Sequence, residues 1–231
     1  MCQKNNNVGA TADQKGVFMY TLGIDIGSTT AKAVVLKDGG EIVSSSIVIA
    51  TVGTDGVSQA IENVFQESGV GRDQIRFSVA TGYGRKTYEG VDMQLSELTC
   101  HAVGVHHEFD DVRTVIDIGG QDAKVLSLNE QGRMVNFVMN DKCAAGTGRF
   151  LDVMANILHL DISQLEVEAA KATHPADISS TCTVFAESEV ISQLASGVKI
   201  PDLVAGICRS VASRVASLVK RVGVRERVCM S

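Results

Sequence analysis

The sequence lacks the features of several common protein classes. It has no apolar run near the about 20 residues that cross a bilayer, and its N-terminus has no apolar region typical of a secretory signal. It has no cluster of basic residues, and 27 acidic residues against 21 Lys and Arg leave it mildly acidic. These absences argue against a membrane or a nucleic acid as a partner, and they predict a cytoplasmic protein.

Cysteines are few and scattered, and none forms a C-x-x-C pair. The six are Cys2, Cys100, Cys143, Cys182, Cys208 and Cys229. This spacing argues against a disulfide scaffold and against a zinc ribbon, so reduced thiols are expected. Only two prolines interrupt a chain that is 45% hydrophobic, which is enough to bury a sizeable core.

One pattern occurs twice. Residues 20–36, YTLGIDIGSTTAKAVVL, match residues 112–128, VRTVIDIGGQDAKVLSL. Aspartate, glycine and lysine recur at a constant offset of 92 residues (25 to 117, 27 to 119, 32 to 124). A match over this length indicates an internal duplication.

Each copy predicts a β-hairpin followed by a third strand and by helices. Third strands are predicted over residues 41–50 and 134–139, and another strand over residues 75–80. Helices are predicted over residues 56–68, 93–107, 147–158, 162–172, 184–196 and 200–222. The order indicates an α/β protein of two related lobes around a cleft. We expect a disordered extension at 1–18, a first lobe at 19–109 and a second lobe at 110–231.

An aspartate that ends a strand, followed by glycine and small polar residues, suits a phosphate and its metal ion. Backbone N–H groups and hydroxyls can hold phosphate oxygens, and the carboxylate can hold Mg²⁺ directly or through water. For one copy alone, an ordinary hairpin turn is the better interpretation, but two copies favour a clamp. Asp25 and Asp117 are the predicted magnesium ligands. The predicted phosphate-binding residues are Gly27, Ser28, Thr29, Thr30, Lys32, Gly119, Gly120, Gln121 and Asp122.

A third glycine-rich segment, Gly146, Thr147 and Gly148, precedes a predicted helix. The first N–H groups of a helix lack partners within it, so this segment is predicted to be another anion site. Two hairpins plus this loop resemble the actin, Hsp70 and sugar-kinase ATPase superfamily, whose fold is ribonuclease H-like.

Longer motifs make the resemblance closer. TLGIDIGSTTAKAVVL, ATGYGR, TVIDIGGQDAKV, NDKCAAGTGRFLDVMA and STCTVFAESEVISQL together resemble the ATP-dependent activators of 2-hydroxyacyl-CoA dehydratases. These belong to the BadF/BadG/BcrA/BcrD type of ATPase, which includes ATPase subunits of benzoyl-CoA reductase. The resemblance covers residues 19–230. It implies a homodimer that hydrolyses ATP and delivers one low-potential electron to its dehydratase through a four-iron four-sulfur (4Fe-4S) cluster.

The resemblance changes the interpretation of two cysteines. By themselves, Cys143 and Cys182 would be small buried residues, although each precedes a helical pattern. The resembling family places its cluster ligands at these positions, and a two-fold dimer would bring four thiolates together. The other four cysteines are predicted to be structural.

In such an ATPase, Gln121 is the candidate for positioning the attacking water, with Asp122 behind it. Asp25 and Asp117 complete the predicted catalytic set through the metal. A change in the phosphates is expected to shift the helix after Thr147 and with it the cluster. The implied electron donor is reduced ferredoxin or flavodoxin.

The chain stops at Ser231, where the resembling family continues into a glycine-rich segment around the adenosine. We therefore expect a chain truncated relative to the family, with an incomplete adenosine pocket. Met19 is an alternative first residue. Two other functions stay open: a small-molecule kinase such as an N-acetylhexosamine kinase, and a nucleotide-binding regulator without catalytic activity.

Overall fold

The computed structural model describes residues 18–50, 53–141, 144–179 and 182–231. The predicted extension therefore lies, up to residue 17, outside the described residues, and so does Cys143. The strands are β1 (Tyr20–Ile26), β2 (Thr30–Lys37), β3 (Glu41–Ile49), β4 (Ile75–Thr81), β5 (Met93–Gln94), β6 (Thr114–Ile118), β7 (Ala123–Leu128), β8 (Met134–Asn140) and β9 (Val228–Met230). The α-helices are α1 (Gly56–Ser68), α2 (Glu97–Glu108), α3 (Gly148–Ile157), α4 (Leu165–Ala169), α5 (Thr183–Ala195) and α6 (Ile200–Val222).

The strands form two sheets with the same plan. The first has the order β3-β2-β1-β4-β5 and the second the order β8-β7-β6-β9. In each sheet the two strands of the duplicated hairpin pair antiparallel, and a later strand joins parallel to the first of them. The predicted α/β class and the duplication are confirmed.

Helices cover the sheets through apolar faces. On the first sheet, α1 buries Ala60, Ile61 and Val64 against residues of β1 and β2. The core of the second half is larger and gathers α3, α5 and α6 around residues such as Phe150 and Ile207. Burial of these side chains from water is the main term that fixes the helices on their sheets.

Helix α2 follows the first sheet in the chain but packs against the second sheet. Its buried Ala102 and Val105 join a cluster with Val115, Leu126 and Leu128 of the second sheet. The boundary between residues 109 and 110 stays a prediction, since α2 precedes it in sequence but contacts the strands that follow it.

Two predicted helices differ from the structure. The helix predicted from Met93 begins at Glu97, because Met93 and Gln94 pair with β4 and Ser96 caps the helix by accepting a hydrogen bond from the Thr99 N–H. Over residues 162–172, the structure has a 3-10 turn, Ile162–Gln164, followed by the short α4. Within the described residues, no helix is long and apolar enough to cross a membrane.

Candidate functional site

The first duplicated turn joins β1 to β2. Asp25 lies opposite Lys32 in the ladder, and the Lys32 ammonium donates to the Asp25 carboxylate at 2.9 Å. The turn is closed by a hydrogen bond of 2.9 Å from the Gly27 N–H to the Thr30 carbonyl. Ser28 and Thr29 therefore lie at the end of the hairpin, and both line a cleft that the second turn shares.

The second turn repeats this geometry between β6 and β7. Asp117 lies opposite Lys124, and the Lys124 ammonium donates to the Asp117 carboxylate at 2.9 Å. The Gly119 N–H donates to the Asp122 carbonyl at 2.9 Å. The matched aspartate, glycine and lysine of the sequence thus occupy matched places in space.

The two turns face each other across a cleft. A Cβ atom at Gly120 would lie 2.9 Å from Thr29 Oγ1, so only glycine lets the turns approach this closely. The cleft has a volume of about 620 Å³. Its lining includes both aspartates, both lysines and the predicted residues of the two turns: Asp25, Gly27, Ser28, Thr29, Thr30, Lys32, Asp117, Gly119, Gly120, Gln121, Asp122 and Lys124.

Lys124 is the electrostatic centre of the second turn. Its ammonium lies 2.9 Å from both Asp117 and Asp122 and 3.2 Å from Glu97. Burial lowers the pKa of Lys124, but hydrogen bonds from its ammonium to Asp122 and Asp117 outweigh burial and raise the pKa above its ordinary value. For Asp117, burial raises the pKa, while the hydrogen bonds with His101 and Lys124 prevail and hold it below the ordinary value. Both groups are charged near neutral pH.

Within the segment at residues 146–148, the N–H groups of Thr147 and Gly148 already donate hydrogen bonds. The Gly148 N–H donates to the Gly119 carbonyl at 3.0 Å, and the Arg149 N–H donates to the Gly120 carbonyl at 2.9 Å. Thr147 is fully buried, and its hydroxyl donates to the Ala144 carbonyl. Through these bonds the start of α3 supports the second turn from behind. Direct phosphate binding by Gly146, Thr147 and Gly148 stays a prediction, and the N–H groups of Thr147 and Gly148 already have carbonyl partners.

The sequence patterns did not predict several residues that line the cleft. Glu97 and His101 lie one turn apart on α2, and His101 Nδ1 lies 3.5 Å from Asp117 Oδ2. The i, i+4 spacing after Ser96 was a usable signal, since residues so spaced share one helix face. Tyr83 and Arg85, from the ATGYGR motif, also line the cleft. That motif supported the resemblance, but its side chains were given no role.

Cys182 lies where the sequence predicted, directly before α5, as its N-cap residue. Its side chain is exposed, as are those of Val184 and Phe185 in the following turn, the latter at 68%. Among the described residues, no group of three or more His, Cys, Asp or Glu is placed to hold a metal ion. Cys143 is not among the residues described, so the contacts of the pair stay a prediction.

Comparison with known proteins gives a consistent result. Residues 22–231 match the model of the BadF/BadG/BcrA/BcrD ATPase family. The (R)-2-hydroxyglutaryl-CoA dehydratase activating ATPase of Acidaminococcus fermentans is 56% identical over 92% of this chain and 82% of its own length. The solved activator of 2-hydroxyisocaproyl-CoA dehydratase from Clostridium difficile, with bound ADPNP, is 56% identical, with a TM-score of 0.87 over 92% of this chain and 79% of that one.

A more distant likeness concerns the fold alone. A protein assigned as an N-acetylglucosamine kinase from Chromobacterium violaceum matches with a TM-score of 0.53 at 11% identity, over 94% of this chain and 88% of that one. The predicted fold, two duplicated lobes around a cleft as in the sugar kinases, is thereby confirmed.

Proposed function

Because the chain belongs to the BadF/BadG/BcrA/BcrD ATPase family, we propose that it hydrolyses ATP to deliver one electron to a 2-hydroxyacyl-CoA dehydratase. Two relatives that are each 56% identical are a 2-hydroxyisocaproyl-CoA dehydratase activator and a 2-hydroxyglutaryl-CoA dehydratase activating ATPase. The chain spans 80% and 82% of their lengths. The partner is a dehydratase component of this kind, and reduced ferredoxin or flavodoxin is the electron donor.

The cleft suits the phosphates of ATP and a magnesium ion. Three carboxylates around Lys124 leave net negative charge beside the second turn, which favours a divalent cation. Asp25 and Asp117 would hold Mg²⁺ through water, because Mg²⁺ keeps several waters and each carboxylate already pairs with a lysine. The Gly27 and Gly119 N–H groups close the two turns, so phosphate oxygens would approach the backbone N–H groups and hydroxyls of the residues between the ends of each turn.

In this proposal Gln121 orients the attacking water. It is an exposed residue of the second turn and lines the cleft. Phosphoryl transfer requires orientation of the water and stabilisation of charge more than covalent help from the protein. An amide that donates and accepts hydrogen bonds meets the first requirement.

Two hydrogen bonds give the main support for coupling between the cleft and the cysteines: those from the Gly148 and Arg149 N–H groups to the carbonyls of Gly119 and Gly120. Through them, the second turn is attached to the first residues of α3, the helix that follows Cys143. Phe150 and Met154 of α3 share a core with Ala186 and Val190 of α5, the helix that follows Cys182. A change of the phosphates that moves the second turn would therefore reach both cysteine-bearing helices.

The cysteines fit a cluster shared by two copies of the chain. A 4Fe-4S cluster is held by four thiolates, and two per chain suffice when a two-fold axis passes between them. The Cys182 thiol at the start of α5 is exposed and thus open to a second copy, and the exposed Val184 and Phe185 beside it would be covered by that copy. When bound, the cluster supplies one-electron reduction at low potential.

Anaerobic purification followed by iron counting tests this proposal. We expect about four irons per dimer and an electron paramagnetic resonance signal after reduction. Cys143→Ala and Cys182→Ala should each lose the iron, whereas Cys208→Ala, at a partly buried site in the helical core, should keep it. Retention of the full iron content and signal by either ligand variant would contradict the cluster assignment. Sugar-dependent consumption of ATP by an iron-free protein would support a kinase instead.

A further inference from the structure

The segment that follows β4 forms one wall of the cleft. The Gly84 N–H donates to the carbonyl of Ile26, the last residue of β1, at 2.9 Å. Gly82 has a φ of +87° and lies against the Asp25 carboxylate and the Ile26 carbonyl, where a Cβ atom would collide with both. Only glycine readily adopts this positive φ and also leaves room for the two oxygen atoms. The backbone at Arg85 is therefore held close to the first duplicated turn.

Arg85 differs from the other cations of the cleft in its partners. Lys32 pairs with Asp25, and Lys124 pairs with three carboxylates. The half-buried Arg85 donates from one guanidinium nitrogen to the carbonyl oxygen of Gly82 at 2.9 Å. It makes no salt bridge with any acidic residue that the structure describes. Among the described residues, Arg85 thus brings a positive charge to the cleft that no carboxylate contacts within salt-bridge distance.

This arrangement suits the developing charge of phosphoryl transfer. A lysine that already pairs with several carboxylates attracts a phosphate only weakly. A guanidinium without a carboxylate partner, and with N–H donors left, binds phosphate oxygens strongly. The hydrogen bond to Gly82 orients the guanidinium before the nucleotide arrives, which lowers the cost of reorganisation.

We propose that Arg85 binds the γ-phosphate of ATP and stabilises its charge during hydrolysis. The oxygen of water bonds to the γ-phosphorus, the bond from that phosphorus to the β–γ bridging oxygen breaks, ADP leaves with the electron pair, and a proton passes to solvent. Arg85 is then a catalytic residue supplied by the same chain. The role rests on the proposed ATPase function and specifies how the cleft distinguishes ATP from ADP.

The test compares Arg85→Gln, Arg85→Lys and the control Lys86→Gln in the full chain under anaerobic conditions. Lys86 is the exposed neighbour of Arg85 and does not line the cleft, so its change removes the same charge without touching the site. Two readouts are measured: kcat and KM of ATP hydrolysis, and calorimetric affinities for magnesium ADP and for magnesium ADPNP.

We expect Arg85→Gln to lower kcat about a hundredfold or more. ADPNP affinity should fall about tenfold, since a hydrogen bond between charged groups is lost, while ADP affinity stays within twofold of wild type. Arg85→Lys should recover part of kcat, and Lys86→Gln should match wild type. A kcat within twofold of wild type in Arg85→Gln, or equal losses of ADP and ADPNP affinity, would overturn the role.

The behaviour of wild-type protein distinguishes a wrong role for Arg85 from a wrong ATPase function. If wild type hydrolyses ATP and Arg85→Gln does so equally well, only the role of Arg85 is wrong. If wild type anaerobic protein neither binds ADPNP nor hydrolyses ATP, the ATPase proposal itself is contradicted, and the role of Arg85 falls with it. Circular dichroism of each variant confirms that lost activity is not lost folding.

Discussion

At the scale of single residues, the two duplicated ion pairs differ in burial. The Lys32 side chain is 47% exposed, whereas that of Lys124 is 9% exposed. An exposed pair contributes about 0–1 kcal/mol, because water and salt screen it. A buried charge left without its partner costs several kcal/mol. The same sequence motif is therefore expected to serve binding in the first copy and also stability in the second.

Replacement of Lys124 by methionine tests this difference. We expect Lys124→Met to lower the free energy of unfolding by about 3 kcal/mol at pH 7, because Asp117, Asp122 and Glu97 lose their common cation. Lys32→Met is the matched control and should cost less than about 1 kcal/mol. Urea denaturation of both variants measures the free energies, and equal losses would show that burial does not separate the pairs.

The loss in Lys124→Met should depend on pH. The pKa of Asp117 is lowered in the folded protein, so its contacts stabilise the fold above the pKa of the unfolded chain, about 4. This stability disappears as the pH falls through the folded pKa. The difference between wild type and Lys124→Met should therefore shrink below about pH 4, as measured by urea midpoints across pH. A constant difference down to pH 3 would contradict the assignment.

Gln121 offers a second residue-scale test. Gln121→Ala should lower kcat for ATP hydrolysis about a hundredfold and leave ADP affinity unchanged, because we expect the amide to act beside the γ-phosphate, which ADP lacks. Gln131→Ala, an exposed glutamine in the turn between β7 and β8, is the control. A parallel loss of ADP affinity in Gln121→Ala would indicate a binding role instead.

At the scale of elements, α6 holds the segment at residues 173–176 in place. The Asp202 carboxylate accepts hydrogen bonds from the Thr173 and His174 N–H groups, and the Asp202 carbonyl accepts one from Ala176. One turn later, Gly206 lies directly under the Ala176 carbonyl. These contacts fix the segment that leads toward Cys182.

A methyl group at Gly206 would collide with the backbone of Ala176. We expect Gly206→Ala to lower the free energy of unfolding by about 2 kcal/mol, despite the better helix propensity of alanine. Gly104→Ala in α2 is the control, since nothing lies within 4 Å of its added Cβ, and it should stabilise by about 0.5–1 kcal/mol. Thermal unfolding followed by circular dichroism measures both, and two variants of equal stability would contradict the close contact.

Sequence patterns predicted the bounds of some helices correctly and those of others wrongly. The apolar periodicity gave α1 and α6 their observed bounds, because both present one apolar face to a sheet. The start of α2 was wrong, since Met93 and Gln94 continue the helical pattern but pair with β4. Long-range pairing overrode the local signal there.

At the scale of the molecule, the cleft lies between the hairpin turns of two sheets that share four corresponding strands, and a nucleotide in it would contact both turns. Ligand that binds only the folded protein stabilises it by about 2.7 kcal/mol at a concentration of 100 Kd. Magnesium ADPNP should therefore raise Tm by about 5–10 °C, as measured by differential scanning calorimetry. Magnesium with adenosine is the control and should give a smaller rise in Tm. Equal rises would show that the two duplicated turns do not bind the phosphates of ADPNP.

The sequence by itself determined the duplication, the α/β class and the residues of both turns, because repeated aspartate, glycine and lysine at one offset are local features of the chain. Only the tertiary structure decided how they combine. It brought Gly120 against Thr29, placed Glu97 and His101 beside the second turn, and tied the start of α3 to Gly119 and Gly120. It also left Arg85 without an acidic partner among the described residues. Such contacts join residues far apart in the chain, and their free energy depends on distance and burial, which no local pattern of residues records.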